Sequence, residues 1–109
     1  MSSIICSGAL IYTLSTNRFL FLHRAQSRQK NVWGLAGGRN ENNETAWEGL
    51  QREIQEELGN LPDIKKTIPL ETFISNDENF KFHTYLCVID EEFIPILNKE
   101  HNGYAWVSF

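Results

Sequence analysis

Residues 45–59 read TAWEGLQREIQEELG, and this stretch decides the fold because it specifies a helix from its first residue to its last. Thr45, followed three residues later by Glu48, forms a capping box, the pattern that marks a helix start. Gly59 is placed to end the helix, and Pro62 follows shortly after. Apolar residues recur at four-residue spacing, which predicts one buried helix face. These residues are Ala46, Leu50, Ile54 and Leu58.

The same helix carries three glutamates on one stripe, beside the apolar one. Glu53, Glu56 and Glu57 lie at positions i, i+3 and i+4, so they project from the same side of the helix. Such like-charge pairs destabilise a helix by about 0.2–0.5 kcal/mol each. A hard divalent cation such as Mg²⁺ would remove this cost, since it prefers carboxylate oxygens. An ordinary solvated acidic face is the alternative interpretation of these three glutamates by themselves.

Gly49 falls on the same stripe, one turn before Glu53. Glycine inside a helix costs roughly 1 kcal/mol compared with alanine, so its presence indicates that another segment approaches the helix closely there. We expect a loop at Gly37–Gly38 to be that segment, because glycines adopt backbone angles closed to other residues. Such a loop could also offer a backbone carbonyl to a metal.

The rest of the chain favours strands around this single helix. Apolar, β-rich segments separated by turns predict the strands, and an acidic loop is expected at residues 91–103. The predicted strands are residues 4–14, 19–23, 32–35, 68–75, 80–89 and 104–109, and residues 26–31 are predicted to be a loop. This succession indicates an α/β or α+β fold, with one domain over residues 1–109.

Composition and charge narrow the class of protein. The chain is 41% hydrophobic and 22% charged, values typical of soluble globular domains rather than disordered chains. The net charge of -4 argues against stable nucleic-acid binding, which needs a basic surface. A phosphate-bearing small molecule stays compatible with this charge if a divalent cation screens the repulsion.

Two cysteines and the lack of targeting signals in this sequence indicate the cellular compartment of the protein. Cys6 and Cys87 lie far apart in apolar surroundings, which favours free thiols in a reducing compartment, although a disulfide stays open. No run approaches the roughly 18 apolar residues of a membrane span. The first residues lack a signal-peptide pattern. We therefore expect a cytoplasmic protein with no membrane association.

Wider spacing around the helix points to a family. Five residues separate Gly38 from Glu44, and seven more precede Arg52 and Glu53. The chain thus resembles the Nudix hydrolases, the MutT-like pyrophosphohydrolases, with the signature Gly-x5-Glu-x7-Arg-Glu-U-x-Glu-Glu-x-Gly-U, where U is a bulky aliphatic residue. Eight of its nine specified positions agree, and the departure is Asn60 at the last. Residues 33–38 also resemble the family's Trp-x-Leu-Pro-Gly-Gly, with alanine in place of proline.

This resemblance implies roles for the helix residues. Glu53, Glu56 and Glu57 match the glutamates that hold Mg²⁺, with Mn²⁺ as an alternative, and Glu53 is also a base in some members. Gly37 matches the residue whose carbonyl often completes the metal shell. Arg52 matches an arginine that fixes a helix carboxylate. We expect its partners to be Glu48 or Glu56, and Glu44 to be structural.

A second segment also resembles the family. Residues 100–106 follow the Glu-His-x-x-Tyr-x-Trp pattern of some Nudix nucleotide hydrolases. The resemblance makes Glu100 a further metal ligand and the candidate catalytic base, whereas a solvated loop glutamate is the alternative. His101 is expected to hold the loop backbone rather than to bind Mg²⁺, which selects oxygen.

The activity implied by the resemblance is hydrolysis of a phosphoanhydride bond by water attack at phosphorus. A nucleoside triphosphate or other nucleoside diphosphate derivative is the expected substrate, and the four basic residues that could meet its phosphates are Arg24, Arg28, Lys30 and Arg39. The alternative is a non-catalytic Nudix-fold sensor of a nucleotide or nucleotide sugar. The three retained glutamates and Arg52 favour the enzyme.

The resemblance also implies a mixed β-sheet sandwiched between helices. A further helix normally follows the last strand, but this sequence stops at Phe109. We therefore expect a domain truncated at its C-terminus, with one sheet face uncovered. Either a longer natural chain or a second copy would cover that face. We favour a longer natural chain, with a homodimer as a possible addition.

Overall fold

The computed structural model describes residues 3–25 and 31–109. Most of the predicted loop at residues 26–31, including Arg28 and Lys30, lies outside these residues. The described residues form one α-helix and seven strands. The elements are β1 (Ile4–Thr13), β2 (Phe19–Arg24), β3 (Trp33–Gly34), β4 (Ala36–Arg39), α1 (Ala46–Leu58), β5 (Lys66–Ile74), β6 (Phe80–Ile89) and β7 (His101–Val107). The predicted mixture of helix and strands is confirmed.

The strands form one mixed sheet. Its main path runs β3-β2-β1-β6-β5, with β4 pairing with β1 and β7 pairing with β2. β1 and β6 run parallel in continuous register from Ile4 opposite Phe80 to Thr13 opposite Ile89. The other pairs are antiparallel. Within the described ranges, no helix is long and apolar enough to cross a membrane.

Helix α1 begins and ends where its sequence predicts. Thr45 is the N-cap: its side chain accepts a hydrogen bond from the Glu48 N–H, and the Glu48 carboxylate accepts one from the Thr45 N–H. Gly59 adopts the left-handed conformation, with φ 76°, and ends the helix. Both ends are thereby fixed, so the glutamate stripe between them has a defined position.

The core lies between α1 and one face of the sheet. Leu50, Ile54 and Leu58 are completely or almost completely buried. They pack against the sheet residues Ala9, Ile11, Leu20, Leu22, Ala36, Cys87 and Ile89. This burial stabilises the helix position by about 25 cal/mol per Å² of apolar surface removed from water. Cys6 and Cys87 are free thiols, as predicted, and burial raises the pKa of Cys87 to about 12.

The opposite sheet face is apolar and carries no helix among the described residues. Side chains alternate along strands, so the residues between those of the core point to this face. It includes Leu10 and Tyr12 of β1, Phe19 of β2, Phe73 of β5 and Leu86 of β6, as the strand registers place them. Phe109 packs on Phe19 with 5.0 Å between ring centroids.

One strand was predicted as a loop, and another begins earlier than predicted. Gly37 and Gly38 lie in β4 rather than in a loop, paired with Gly8 and Ser7 of β1. Glycine-rich segments have low strand propensity, and here pairing with β1 imposes the extended conformation. The last strand begins at His101, three residues before its predicted start, because pairing with β2 continues past a bulge.

Candidate active site

The centre of the site is a buried carboxylate. Glu57 is only 3% exposed, and its Oε1 accepts a hydrogen bond of 2.8 Å from the Gly37 N–H of β4. Burial raises the pKa of Glu57 to about 8, the negative charges of Glu53 and Glu100 add to the rise, and the Gly37 bond opposes it. A cation bound beside such a buried carboxylate would favour its ionised form.

Glu53 lies one turn earlier, directly against β4. A Cβ added to Gly38 would collide with the Glu53 carboxylate, so this glycine leaves the space that the carboxylate occupies. Burial raises the pKa of Glu53, while its hydrogen bond from Arg52 opposes the rise. The two neighbouring glycines of β4 thus each contact one helix glutamate.

Arg52 connects the helix to the segment before it. Its Nε donates to Glu44 at 2.8 Å and its Nη1 to Glu53 at 2.7 Å. Its Nη2 donates to the backbone carbonyl of Arg39 at 3.0 Å. A longer contact of 3.3 Å reaches Glu56, whose side chain is 54% exposed. Glu56 therefore lies at the solvent edge of the site, linked to Glu53 through this guanidinium.

The main partner of Arg52 differs from the prediction. Glu48 does not pair with it, because the capping box occupies the Glu48 carboxylate. Glu44 takes that place, and the hydrogen bond from Arg52 lowers the Glu44 pKa. Glu44 also accepts a bond from the Glu41 N–H, so its predicted structural role is consistent with its contacts.

Gly49 is needed for a close approach, but by a different group from the one predicted. A Cβ at this position would lie 2.7 Å from Cγ of Asn40 and still closer to its Oδ1. Asn40 donates from Nδ2 to the carbonyls of Glu44 and Thr45, which holds its side chain beside the helix start. Sequence reasoning missed Asn40, since a polar residue in a polar loop gives no signal of its own.

Glu100 and His101 bring β7 to the same site. One possible ligand atom from each of Glu57, Glu100 and His101 lies within 4.8 Å of the others. Glu100 is exposed, whereas His101 is 5% exposed and starts β7 instead of lying in a loop. Its Nδ1 is buried with no hydrogen-bond partner among the described residues. Burial lowers the pKa of His101.

The donors that converge here fit a divalent cation. Glu53, Glu57 and Glu100 repel one another closely enough to raise the pKa values of the first two. Carboxylate oxygens are the ligands that Mg²⁺ and Mn²⁺ prefer. Gly37 meets Glu57 through its N–H, and the predicted ligand role of its carbonyl stays a prediction.

A cleft adjoins this group of carboxylates. Six of its lining residues are Cys6, Gly8, Arg24, Gly37, Gly38 and Phe82. The positive charge of Arg24 acts on both Glu57 and His101, so the guanidinium lies close to the site. The cleft therefore places an aromatic ring and a cation beside the β4 glycines that contact Glu53 and Glu57.

Comparison with known sequences gives a family match. The family model described as NUDIX domain matches residues 6–109. A dihydroneopterin triphosphate diphosphatase from Haemophilus influenzae is 33% identical over 114 aligned residues, which cover 91% of this chain and 70% of that protein.

Solved structures share the fold. A MutT/nudix family protein from Enterococcus faecalis superposes with a TM-score of 0.79 at 22% identity, covering 97% of this chain and 44% of that one. A MutT protein from Methanosarcina mazei gives a TM-score of 0.69 at 31% identity, covering 98% of this chain and 78% of that one. The chain thus spans less than half of the Enterococcus protein and most of the Methanosarcina one.

Proposed function

Because the chain belongs to the Nudix family, we propose that it is a metal-dependent pyrophosphohydrolase that cuts a phosphoanhydride bond of a small triphosphate. The match to a diphosphatase supports hydrolysis of this bond class. The observation that carries the proposal is the convergence of three carboxylates: Glu53 and Glu57 contact the β4 glycines, and Glu100 lies beside Glu57. Burial there raises the Glu57 pKa to about 8. An acidic surface patch would not bury one of its carboxylates at such a cost.

We propose Mg²⁺ as the cation, with Mn²⁺ as a substitute. The residues that would hold it are Glu53, Glu56, Glu57, Glu100 and the carbonyl of Gly37. When bound, the cation neutralises charge on phosphate oxygens and acidifies the attacking water. The Gly37 N–H fixes the Glu57 carboxylate, and Arg52 acts as a positioning residue that orients Glu53.

Glu100 is the proposed proton acceptor. It is exposed, so a water attacking the substrate has access to it. Glu53 is the alternative, but its carboxylate already accepts a 2.7 Å hydrogen bond from Arg52 and lies against β4, so it is less accessible to an attacking water than the exposed Glu100. Displacement at phosphorus by water then needs no covalent enzyme intermediate, since the proton passes directly to a carboxylate.

The cleft supports a substrate with a flat heterocyclic ring and a polyphosphate chain. Phe82 offers an aromatic surface for the ring, and Arg24 offers a cation for a phosphate. Dihydroneopterin triphosphate is the proposed first substrate to test, because the Haemophilus relative is named for it. Nucleoside triphosphates come next, since they share the triphosphate group and a planar base.

The test is a hydrolysis assay with Mg²⁺ on these triphosphates, measuring phosphate release with and without added pyrophosphatase. We expect Glu57→Gln and Glu100→Gln to lose at least about a hundredfold in kcat/KM. Glu91→Gln, an exposed glutamate in the loop before β7, is the matched control and should keep wild-type activity. Tight substrate binding without hydrolysis under Mg²⁺ and Mn²⁺ would instead identify a sensor.

Three properties of the whole protein are also proposed. A second copy covers the apolar sheet face, which gives a homodimer. The net charge of -4 prevents stable nucleic-acid binding. The free thiols Cys6 and Cys87 suit a reducing compartment such as the cytoplasm.

A further inference from the structure

We infer that Glu57, Glu100 and His101 form a mixed oxygen–nitrogen cation site, in which a His101 ring nitrogen binds a divalent transition-metal ion such as Mn²⁺ in preference to Mg²⁺. The inference rests on the proposed function, since Glu57 and Glu100 belong to both. It adds His101 as a metal ligand, although the sequence predicted that this side chain holds the loop backbone.

Geometry provides the first support. One ligand atom from each of these residues lies within 4.8 Å of the other two. Metal bonds of about 2.0–2.2 Å place opposite ligands roughly 4 Å apart. The exposed Glu100 side chain is free to adjust to a bound ion, while Glu57 is already fixed by the Gly37 N–H. The exposed position of Glu100 also gives an ion access from solvent.

The burial of His101 provides independent support. The residue is 95% buried, and its Nδ1 has no hydrogen-bond partner among the described residues. A buried polar atom without a partner destabilises the folded state. An imidazole held beside two carboxylates, with unused donor or acceptor capacity, is better explained by a ligand than by packing. The backbone of His101 already bonds to Asn98 through its N–H, so the side chain is not needed to hold the turn.

The donor chemistry decides which ion this site prefers. Mg²⁺ takes oxygen ligands and sheds water reluctantly. Mn²⁺ shares the preference for carboxylate oxygens, which Glu57 and Glu100 supply, but as a transition-metal ion it accepts an added nitrogen ligand more readily than Mg²⁺ does. Glu53 and Glu56, on the Arg52 side of the helix stripe, offer oxygen only. Replacing His101 should therefore weaken Mn²⁺ binding more than Mg²⁺ binding.

Mn²⁺ bound to the full chain, without substrate, tests this directly. Pulsed EPR should show ¹⁴N modulation from a coordinated imidazole in the wild type. His101→Asn should lose that modulation and bind Mn²⁺ at least about tenfold more weakly, with Mg²⁺ affinity changed less than about twofold. The matched control is His83→Asn on β6, whose Nδ1 bonds to the Thr72 hydroxyl. This control should keep both the modulation and the Mn²⁺ affinity.

Two results would overturn the inference: a wild-type echo without nitrogen modulation, or modulation that persists in His101→Asn. If His101→Asn does not fold, ¹⁵N-histidine labelling of the wild type replaces it, and an echo unchanged by the label is equally fatal. Hydrolysis is measured separately on the same samples. Activity with Mg²⁺ but no nitrogen signal contradicts only this inference, whereas a nitrogen signal without hydrolysis contradicts only the proposed function.

Discussion

At the scale of single residues, two neighbouring glycines of β4 restrict the site in different ways. A Cβ at Gly38 would meet the end of the flexible Glu53 side chain, which can move aside. Gly38→Ala should therefore change the unfolding free energy by less than about 1 kcal/mol. It should nevertheless lower kcat/KM at least about tenfold, because the displaced carboxylate leaves its position at the site.

Gly37→Ala, in contrast, should mainly lower the stability of the protein. Gly37 has φ 147°, and its added Cβ would collide with the backbone carbonyl of Ser7, which cannot move without disturbing β1. We expect a loss of roughly 1–3 kcal/mol in unfolding free energy. Gly34→Ala is the control, since no atom of the described residues lies within 4 Å of its Cβ position. Urea denaturation and activity assays on all three variants check both predictions. A fully active Gly38→Ala would contradict the first, and a Gly37→Ala as stable as the wild type would contradict the second.

Glu57 makes the stability of the metal-free protein depend on pH. Its folded pKa of about 8 lies above its ordinary value of 4.5. Below about pH 4.5 the group is protonated in both states and costs nothing. Between pH 4.5 and 8 the unfolded state releases the proton more readily than the folded state, so the free energy of unfolding decreases. The total decrease, reached above pH 8, is on the order of a few kcal/mol.

Glu57→Gln should remove this dependence while keeping an oxygen that accepts the Gly37 N–H bond. The contribution of Glu57 is measured by urea denaturation in EDTA from pH 4.5 to 9. It equals the difference in unfolding free energy between variant and wild type, because both proteins share all other titrating groups. The variant should gain stability over the wild type as pH rises. Mg²⁺ added at pH 8 should stabilise the wild type more than the variant. Parallel pH curves for the two proteins would show that Glu57 ionises freely.

At the scale of elements, the start of α1 depends on the contact between Asn40 and Gly49. Alanine is favoured over glycine by about 1 kcal/mol inside a helix. Gly49→Ala should still destabilise the protein by roughly 1–2 kcal/mol, because Asn40 is held by two carbonyls and cannot yield easily. In an Asn40→Gly background the same change should become neutral or stabilising. A double-mutant cycle with no coupling would refute this account.

The elements also show what the sequence could and could not predict. Helix α1 was predicted because its caps and apolar period are local, so Thr45 and Gly59 mark its ends by themselves. Strand β4 was missed because its extended form depends on pairing with β1, which no local pattern encodes. The same limit applies to the partner of Arg52. Helical spacing indicated Glu48 or Glu56, whereas Glu44, which lies before the helix, reaches Arg52 only in the folded chain.

The site shows a similar division between local and long-range information. Helical spacing placed Glu53 and Glu57 on one side of α1, and the described contacts bring both to β4. The buried position of His101 depends on the pairing of β7 with β2, which is a long-range contact. The sequence therefore gives no sign that the buried His101 Nδ1 lacks a hydrogen-bond partner among residues 3–25 and 31–109.

At the scale of the whole molecule, the face of the sheet opposite α1 should make this 109-residue chain self-associate. Phe73 on that face is 55% exposed and Phe109 is 90% exposed. Contiguous apolar patches larger than a few hundred Å² rarely stay exposed on monomers, and each Å² covered contributes about 25 cal/mol. Sedimentation should therefore show reversible association that strengthens with concentration.

A pair of matched variants locates the associating surface. Phe73→Lys places a charge on the apolar face, next to Phe80, and should shift the equilibrium towards monomer. Ile94→Lys is the control: it changes an 81% exposed residue in the loop before β7, away from this face, and should leave association unchanged. A wild-type chain that sediments as a monomer at every concentration would contradict the prediction. Equal loss of association in both variants would place the contact elsewhere, because of these two residues only Phe73 lies on the sheet face.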